Sequence, residues 1–539
     1  MKILIIGGVA AGTKAAAKLK RENRADEVTI ITKSKDISYA GCGLPYYVGD
    51  LIKSRDQLIV NTPAAFSSLT GVTIVTEMEV TKINRSEKTV QATDLTTEQL
   101  STFSYDKLII ATGAEPIKPP ITGIDLKGVF FMRTPDDAVA LKSALDGDVK
   151  RAIVVGGGFI GLEVAENLLH QNLKVSVLDM AEHILPGFDS EIAEYVENHL
   201  ANMGIMVFTN TKLEAILGTD KVEKIKTGKR DMKADAVVLS LGIRANTAFL
   251  KDTDIELMPN HTIKVNKQLQ TNDENIYAIG DCACVTNFIT KVPAWSPMGS
   301  SANTEGRITA KNINNKNITY SGVLGTGIAK LPELNVGRTG LTEAAAVKNG
   351  YDVVSVIAVV DDKAHYYPGA SNFIVKMIAD KSNKKLLGIQ VLGKGAVDKM
   401  IDIAVTALTL GATLDDLENM DFAYAPPFST AIHPFSHTIN ILLNKINGEF
   451  KTITPTEYKN DKASEYTIID ASIQPSIEGA AYIDLSKVNG ELAEFNKDDK
   501  LLLICTKGKR AYLLQNRLKY FGYTNTLVLE GGTIFNEIS

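Results

Sequence analysis

Arg151 to Asp179, RAIVVGGGFIGLEVAENLLHQNLKVSVLD, leaves this chain little freedom of fold. An apolar run of strand length enters a Gly156-x-Gly158-x-x-Gly161 turn, a helical stretch comes next, and a second apolar run ends in an acid. That order predicts strand, tight turn, helix and parallel strand, the unit in which backbone N–H groups meet a pyrophosphate at a helix N-terminus. Asp179 falls where a carboxylate accepts hydrogen bonds from both ribose hydroxyls. A 2′-phosphate would be repelled there, and MAEHILP just after it contains no arginine, so the pattern points to NADH rather than NADPH.

A second, less complete unit opens the chain. Lys2 to Gly12, KILIIGGVAAG, is an apolar strand running into a glycine turn, followed by the helical TKAAAKLKREN and the strand VTIIT. Gly7 and Gly12 fit the fingerprint spacing, Val9 holds its middle position, and Thr32 with Lys33 stands where the ribose-binding acid is expected. With 539 residues the chain exceeds what one core supports, and three or four domains are expected. Lys and Arg number 58 against 63 Asp and Glu, with the lysines scattered, which offers no basic field for nucleic acid. No signal-peptide pattern and no apolar run of bilayer length is visible, so no membrane association is expected. The cysteines, Cys42, Cys282, Cys284 and Cys505, are too unevenly placed for a disulfide scaffold and suit a reducing cytoplasm. No metal is expected.

Ser38 to Gly49, SYAGCGLPYYVG, holds the only cysteine of the first 280 residues, just beyond the first nucleotide-binding unit. A thiol gains reactivity as its pKa falls, and the adjoining GLPYYVGD predicts a helix N-terminus that would lower it.

Two further segments carry a resemblance. Tyr105 to Pro116, YDKLIIATGAEP, is a buried strand ending in ATG, and Thr271 to Asp281, TNDENIYAIGD, is a strand ending in glycine and a carboxylate. With the N-terminal turn they resemble the three FAD-binding signatures of the pyridine nucleotide–disulfide oxidoreductase family. The resemblance implies an α/β protein with two Rossmann-like domains, one for FAD (1–116 and 243–322) and one for NADH (117–242). FAD would be held by Gly7, Gly8, Ala10, Ala11 and Gly12, by Thr32 and Lys33, and by Ala111, Thr112 and Gly113. Gly280 and Asp281 complete that set, Asp281 on the ribityl chain. NADH would be held by Gly156, Gly158, Phe159, Ile160 and Gly161, with Glu163 ordering the site, Asp179 on the ribose and Gly242 nearby. Two dinucleotide sites in one chain imply electron transfer from nicotinamide to flavin.

Dithiol members of this family carry C-x4-C, but Tyr47 stands at the second position, so Cys42 must cycle without a local partner. A sulfenic acid or a mixed disulfide with a small thiol would allow that. SYAGCGLPYYVG is similar to the S-F-x-x-C-x-L-P-Y loop of coenzyme A–disulfide reductases, with Tyr39 for Phe and Gly41 for Asn. The peroxidase branch has a histidine in the first glycine turn, where this chain has Ala10 and Ala11.

Residues 323–447 resemble the family's α+β dimerisation domain, which implies a homodimer. Tyr366 in HYYPG and Tyr424 in YAPP match tyrosines that reach the partner's cysteine, with Tyr367 as the neighbour in register. Ser38, Tyr39, Asn303 and Arg307 match coenzyme A-lining positions. The polar stretch 448–464 is expected to be a linker, and 465–539 a small α/β domain. Within it Cys505, Thr506, Lys507, Gly508, Lys509 and Arg510 fit C-x-x-G-x-R at a strand-to-helix junction and resemble a rhodanese active loop, whose amides face a cysteine persulfide. Asp470 is present, while the arginine usual after it and the G-H-I-P-G turn are absent.

The resemblance as a whole is to a coenzyme A–disulfide reductase fused to a rhodanese domain. It implies that NADH, through FAD, reduces coenzyme A disulfide, or a coenzyme A persulfide or polysulfide, by way of a Cys42–coenzyme A mixed disulfide. A flavin NADH oxidase and a redox-sensing binding protein are the alternatives.

Overall fold

The computed structural model describes residues 1–538. The chain divides into two compact units, the first Met1–Ile184 with Leu200–Val323, the second Leu185–His199 with the chain from Leu324 on.

The first unit holds two parallel five-stranded sheets. In one, Lys2–Ile6 is central, flanked by Lys107–Ile110 and Glu27–Ile31, with Ile276–Ala278 and Thr73–Val75 at the edges. Its strands read as continuous apolar runs because both faces are covered. Ile3, Ile5 and Ile30 face Ala15, Ala16 and Leu19 of helix Ala10–Glu22, while Leu4, Ile6 and Ile31 face Val80, Val90 and Ala92. Helix Gly299–Ile313 lies so close to the first helix that a Cβ on Gly306 would stand 2.6 Å from the Ala11 carbonyl oxygen. The other sheet has Arg151–Val155 at its centre, between Lys174–Leu178 and Ala236–Leu239. In both sheets the chain leaves the central strand into a glycine turn, which sets the two candidate nucleotide sites at the strands' carboxyl ends.

In the second unit an antiparallel five-stranded sheet (Gly327–Leu331, Leu334–Gly340, Leu386–Gly393, Asn372–Asp380, Val353–Asp361) precedes a parallel one. The parallel sheet runs Thr452–Ile453, Thr526–Leu529, Leu501–Ile504, Thr467–Asp470, Ala481–Tyr482. This corrects the expected linker at 448–464. Thr452–Ile453 is the edge strand of the C-terminal sheet, and Thr454 with Glu457 forms a capping box on helix Pro455–Lys459. Its polar composition reflects cap and edge duties, not disorder. The expected nucleotide domain 117–242 is likewise interrupted, because 185–199 packs within the second unit.

Buried charge explains that excursion. Lys376, 2% exposed, places Nζ 3.2 Å from Asp189 and 2.7 Å from Glu343, and also pairs with Glu191. The three carboxylates raise the lysine's pKa against the effect of burial. Glu530, 1% exposed, accepts from Lys445 Nζ (2.6 Å), Thr452 Oγ1 (2.6 Å) and the Ile357 amide (2.9 Å), tying the C-terminal sheet to the antiparallel one. Removing one partner of such a cluster leaves the others uncompensated. Lys376→Met is therefore expected to cost about 3–5 kcal/mol, read as a lowered thermal unfolding midpoint; an unchanged midpoint would show that the cluster contributes nothing.

Candidate active site

Cys42 sits in the one-turn 3-10 segment Gly41–Gly43, which runs into helix Leu44–Val48 with Pro45 in its first turn. The helix N-terminus is thus where the residues predict it, but the helix is five residues long, too short for a strong dipole. The expected lowering of the thiol is not found. Although Cys42 is exposed as a residue, the protein around its sulfur raises the pKa, with the Glu163 and Asp281 carboxylates adding and the Arg133 guanidinium opposing.

The helix beyond Cys42 is tightly held. Tyr46 donates its hydroxyl to Glu163 at 2.9 Å, and a Cβ on Gly49 would lie 2.0 Å from Asn167 Oδ1, so this helix is pressed against helix Phe159–His170. Burial and Glu163 together hold the Tyr46 phenol protonated far above its ordinary range. Tyr47, at the position of a second cysteine, is buried with Lys142 Nζ 4.2 Å from its ring centroid. All four cysteines are free, and Cys282, Cys284 and Cys505 are buried.

The first glycine turn fits a dinucleotide. Gly7 has φ +108°, and a Cβ there would fall 2.1 Å from the Ala111 carbonyl; one on Gly12 would fall 1.9 Å from the Gly7 carbonyl. The backbones of these segments therefore meet, with Ala10 and Ala11 opening the helix behind Gly8. Thr112 donates to the Asn246 carbonyl at 2.7 Å, and Gly113 accepts from the Asn246 amide. Asp281 is held by Arg133 Nη2 at 2.8 Å, and its carbonyl accepts from Trp295 Nε1. Thr32 is buried, its hydroxyl taking a long 3.4 Å bond from the Ser34 amide, while Lys33 is exposed near Glu79. These residues suit FAD.

In the second turn, a Cβ on Gly156 would lie 2.2 Å from the Ser240 carbonyl, and one on Gly161 would lie 2.0 Å from the Gly156 carbonyl; Gly158 faces open space. Asp179 accepts from the Gly157 amide at 2.7 Å and the Ala181 amide at 2.8 Å, which aims the carboxylate while leaving lone pairs for ribose hydroxyls. Phe159 and Ile160 open the helix, Ile160 exposed, and Gly242 (φ +96°) is exposed.

Glu305, Arg133 and Tyr46 are site residues that the sequence alone does not single out. Glu305 accepts from the Gly280 amide at 2.6 Å, and burial pushes its carboxyl up to about 8. Gly280 itself has φ +74°, with Ala11 Cβ 3.0 Å from where its own Cβ would be. None of the three stands at a motif spacing; only the folded chain gathers them. Ser38 (φ 48°) and Tyr39 are half-buried in the segment leading to Cys42. Asn303 and Arg307 are exposed on one face of helix Gly299–Ile313, Asn303 donating back to the Gly299 carbonyl.

In the second unit Tyr366 and Tyr424 are both exposed, and the nearby Tyr366 raises the Tyr424 phenol. Tyr367 lies beside Tyr366 in sequence and is also exposed. Cys505 comes directly after strand Leu501–Ile504, and its sulfur accepts from the Ala511 amide at 3.4 Å at the start of helix Lys509–Tyr520. Gly508 makes the turn with φ +85°, and among the described residues no group accepts from the amides of Thr506, Lys507 or Gly508. Two of the loop's cations are engaged: Lys507 pairs with Asp361 at 2.6 Å, and Arg510 Nε donates to the Ala471 carbonyl at 3.0 Å. Lys509 is exposed. Asp470 accepts from the Ser472, Ser476 and Ile477 amides, closing the shortened segment after its strand. Among the described residues no cluster with metal-ligand character occurs, and no helix is long and apolar enough to cross a membrane.

Known proteins match this organisation. The pyridine nucleotide-disulphide oxidoreductase family matches residues 1–302, that family's dimerisation domain residues 329–434, and the rhodanese-like domain residues 454–533. The chain is similar to an NADH oxidase of Methanocaldococcus jannaschii, 36% identical over 83% of this chain and 100% of that one. It is similar to an NAD(P)H coenzyme A polysulfide/persulfide reductase of Pyrococcus horikoshii, 34% identical over 80% of this chain and 96% of that one. Among solved structures, an NAD-dependent persulfide reductase from A. fulgidus superposes with TM-score 0.94 at 34% identity, covering 99% of this chain and 100% of that one.

The Glu305 carboxyl, raised in the fold, stays protonated over a range where the unfolded chain ionises, so its contribution falls as pH rises from about 4.5 to about 8. Glu305→Gln, which keeps an acceptor for Gly280, is expected to flatten the stability profile between those limits; parallel profiles for the two proteins would refute it.

Proposed function

The chain belongs to the pyridine nucleotide-disulphide oxidoreductase family, and on that premise we propose that it is an NADH-dependent flavoenzyme that reduces coenzyme A disulfide, or coenzyme A persulfide and polysulfide, through Cys42 alone. The observation that carries the reading is the single thiol: Cys42 is the exposed cysteine of the first unit, and buried Tyr47 fills the place of a second cysteine. A lone cysteine cycles through a sulfenic acid or an intermolecular disulfide, and the likeness to coenzyme A-dependent reductases supports the disulfide.

The Cys42 thiolate attacks a sulfur of coenzyme A disulfide, forming Cys42–S–S–CoA and expelling one coenzyme A thiolate. Reduction of that mixed disulfide by NADH releases the second coenzyme A as a thiol and restores the Cys42 thiolate, with NAD⁺ as the other product. FAD would supply the two-electron chemistry that links NADH to the mixed disulfide. Gly7, Gly12 and Asp281 would hold it, the two glycines allowing the close backbone approach of the turn. Asp179 orients the adenosine ribose of NADH, and Glu163, tied to Tyr46, links the nicotinamide side to the cysteine helix. Tyr366 and Tyr424 supply phenol protons to a departing thiolate, at the partner's cysteine in a homodimer.

With coenzyme A persulfide, attack at the coenzyme A sulfur forms the same mixed disulfide and expels sulfide; with a coenzyme A polysulfide the leaving group is the remaining hydropolysulfide anion. The rhodanese-like domain supports this use. Cys505, at a turn of unpartnered amides, carries sulfane sulfur and hands it to Cys42 through coenzyme A. The likeness to the A. fulgidus persulfide reductase over the full length of both chains supports the reading. The enzyme is read as cytoplasmic.

Anaerobic NADH oxidation with coenzyme A disulfide and with coenzyme A persulfide tests this. Cys42→Ser is expected to lose both activities, and Cys505→Ser to keep disulfide turnover while losing transfer from polysulfide. NADH oxidation that requires oxygen, ignores both coenzyme A substrates and survives Cys42→Ser would instead establish the oxidase activity that the M. jannaschii relative is named for.

A further inference from the structure

The turn that carries Cys505 holds three cations, Lys507, Lys509 and Arg510, and two of them are met by carboxylates from outside it. Arg510 Nη2 lies 3.7 Å from Asp484 Oδ1, while its Nε donates to the Ala471 carbonyl at 3.0 Å. Lys507 Nζ donates to Asp361 Oδ1 at 2.6 Å. Asp361 ends strand Val353–Asp361 of the antiparallel sheet, so a residue outside the rhodanese-like domain neutralises a charge of the Cys505 turn.

The backbone holds Asp361 and the turn in register. Earlier in the same strand the Ile357 amide donates to Glu530 at 2.9 Å, and the segment just after Glu530 backs the turn. There the Thr533 and Ile534 amides donate to the Cys505 and Thr506 carbonyls, each at 3.1 Å, and a Cβ on Gly532 would fall 2.1 Å from the Cys505 carbonyl oxygen. At the strand's end Asp361 pairs with Asn372 in the sheet, and the adjoining Asp362 accepts from the Ser371 amide at 2.7 Å and hydroxyl at 3.1 Å. With the Lys507 and Asp361 side chains 34% and 35% exposed, their pair adds little stability. Its consequence is the charge that the turn presents.

Sulfane sulfur reaches a thiolate in two chemical forms. On a small oxyanion such as thiosulfate it arrives with two negative charges, and free cations beside the acceptor favour that encounter. On a thiol persulfide the transferred sulfur carries one charge at most, for which the unpartnered amides of the turn suffice. A turn whose cations are paired serves the second form. We infer that Asp361 is a specificity-determining residue of the sulfur-transfer site: by pairing Lys507 it takes a cation away from the Cys505 turn and sets its donor preference toward thiol persulfides and against sulfur oxyanions. The inference rests on Cys505 carrying sulfane sulfur, as proposed above.

Sulfur transfer to cyanide by the flavin-loaded full-length protein tests it, with thiosulfate and cysteine persulfide as donors and the Cys505→Ser rate subtracted from each. The Cys505 thiolate takes the sulfane sulfur as a persulfide, releasing sulfite or cysteine, and cyanide removes that sulfur as thiocyanate, restoring the thiolate. Asp361→Asn is expected to raise kcat/KM for thiosulfate about 5-fold relative to that for cysteine persulfide, a gain that fades at high salt, while Asp361→Glu keeps the parent ratio. An Asp361→Asn protein with the parent's thermal midpoint and the parent's donor ratio overturns the inference. If that variant does not fold, Asp361→Ser takes its place under the same two outcomes. A parent that moves sulfur from neither donor defeats the proposed role of Cys505 and the inference with it; transfer from cysteine persulfide with an unshifted ratio in the variant defeats the Asp361 assignment alone.

Discussion

The contact between Gly49 and Asn167 is the constraint on which the site depends. Only a residue without a Cβ lets the end of the Cys42 helix lie this close to helix Phe159–His170, since the Asn167 amide oxygen occupies the space a methyl group would need. Tyr46 then reaches Glu163, Asp50 takes Lys142 and Gln171, and Tyr47 is sealed under Lys142. The Cys42 helix and the helix of the second glycine turn thus share one packed layer, and neither can shift without disturbing the other.

Electrostatics at that layer work against the thiolate, and this separates the site from a simple helix-activated cysteine. Burial and two carboxylates raise the thiol and outweigh the opposing Arg133 guanidinium. The second unit handles charge differently. There, Lys376 and Glu530 bury ionised groups among enough partners to satisfy each one, and the result is a fixed arrangement of the antiparallel sheet, the 185–199 excursion and the C-terminal sheet. Because the C-terminal sheet is tied to the antiparallel one, Cys505 sits on a packed sheet rather than on a flexible tether.

Local rules make much of this legible in the sequence. The Gly156, Gly158 and Gly161 spacing together with Asp179 is a strand-turn-helix requirement written within 29 residues, and the folded turn has the close backbone contacts it implies. The three separated flavin signatures are recognisable for the same reason, each being a strand end. Sequence reading fails where the outcome depends on what packs against a segment. The stretch from Thr452 to Lys459 is polar in composition and still folds, because an edge strand and a capping box need polar residues. A lowered Cys42 thiol is the local expectation because the helix is adjacent in sequence, whereas Glu163 and Asp281 arrive from 121 and 239 positions away. Arg133 and Glu305 carry no spacing signal, since their partners Asp281 and Gly280 are distant in the chain.

Intact and peptide mass spectrometry of the protein incubated with coenzyme A disulfide, before any reductant, tests the central claim most directly. One coenzyme A on Cys42, discharged on adding NADH to the FAD-loaded enzyme, is the predicted result. A Cys42 that stays unmodified, or carries only a sulfenic acid after that incubation, would contradict it.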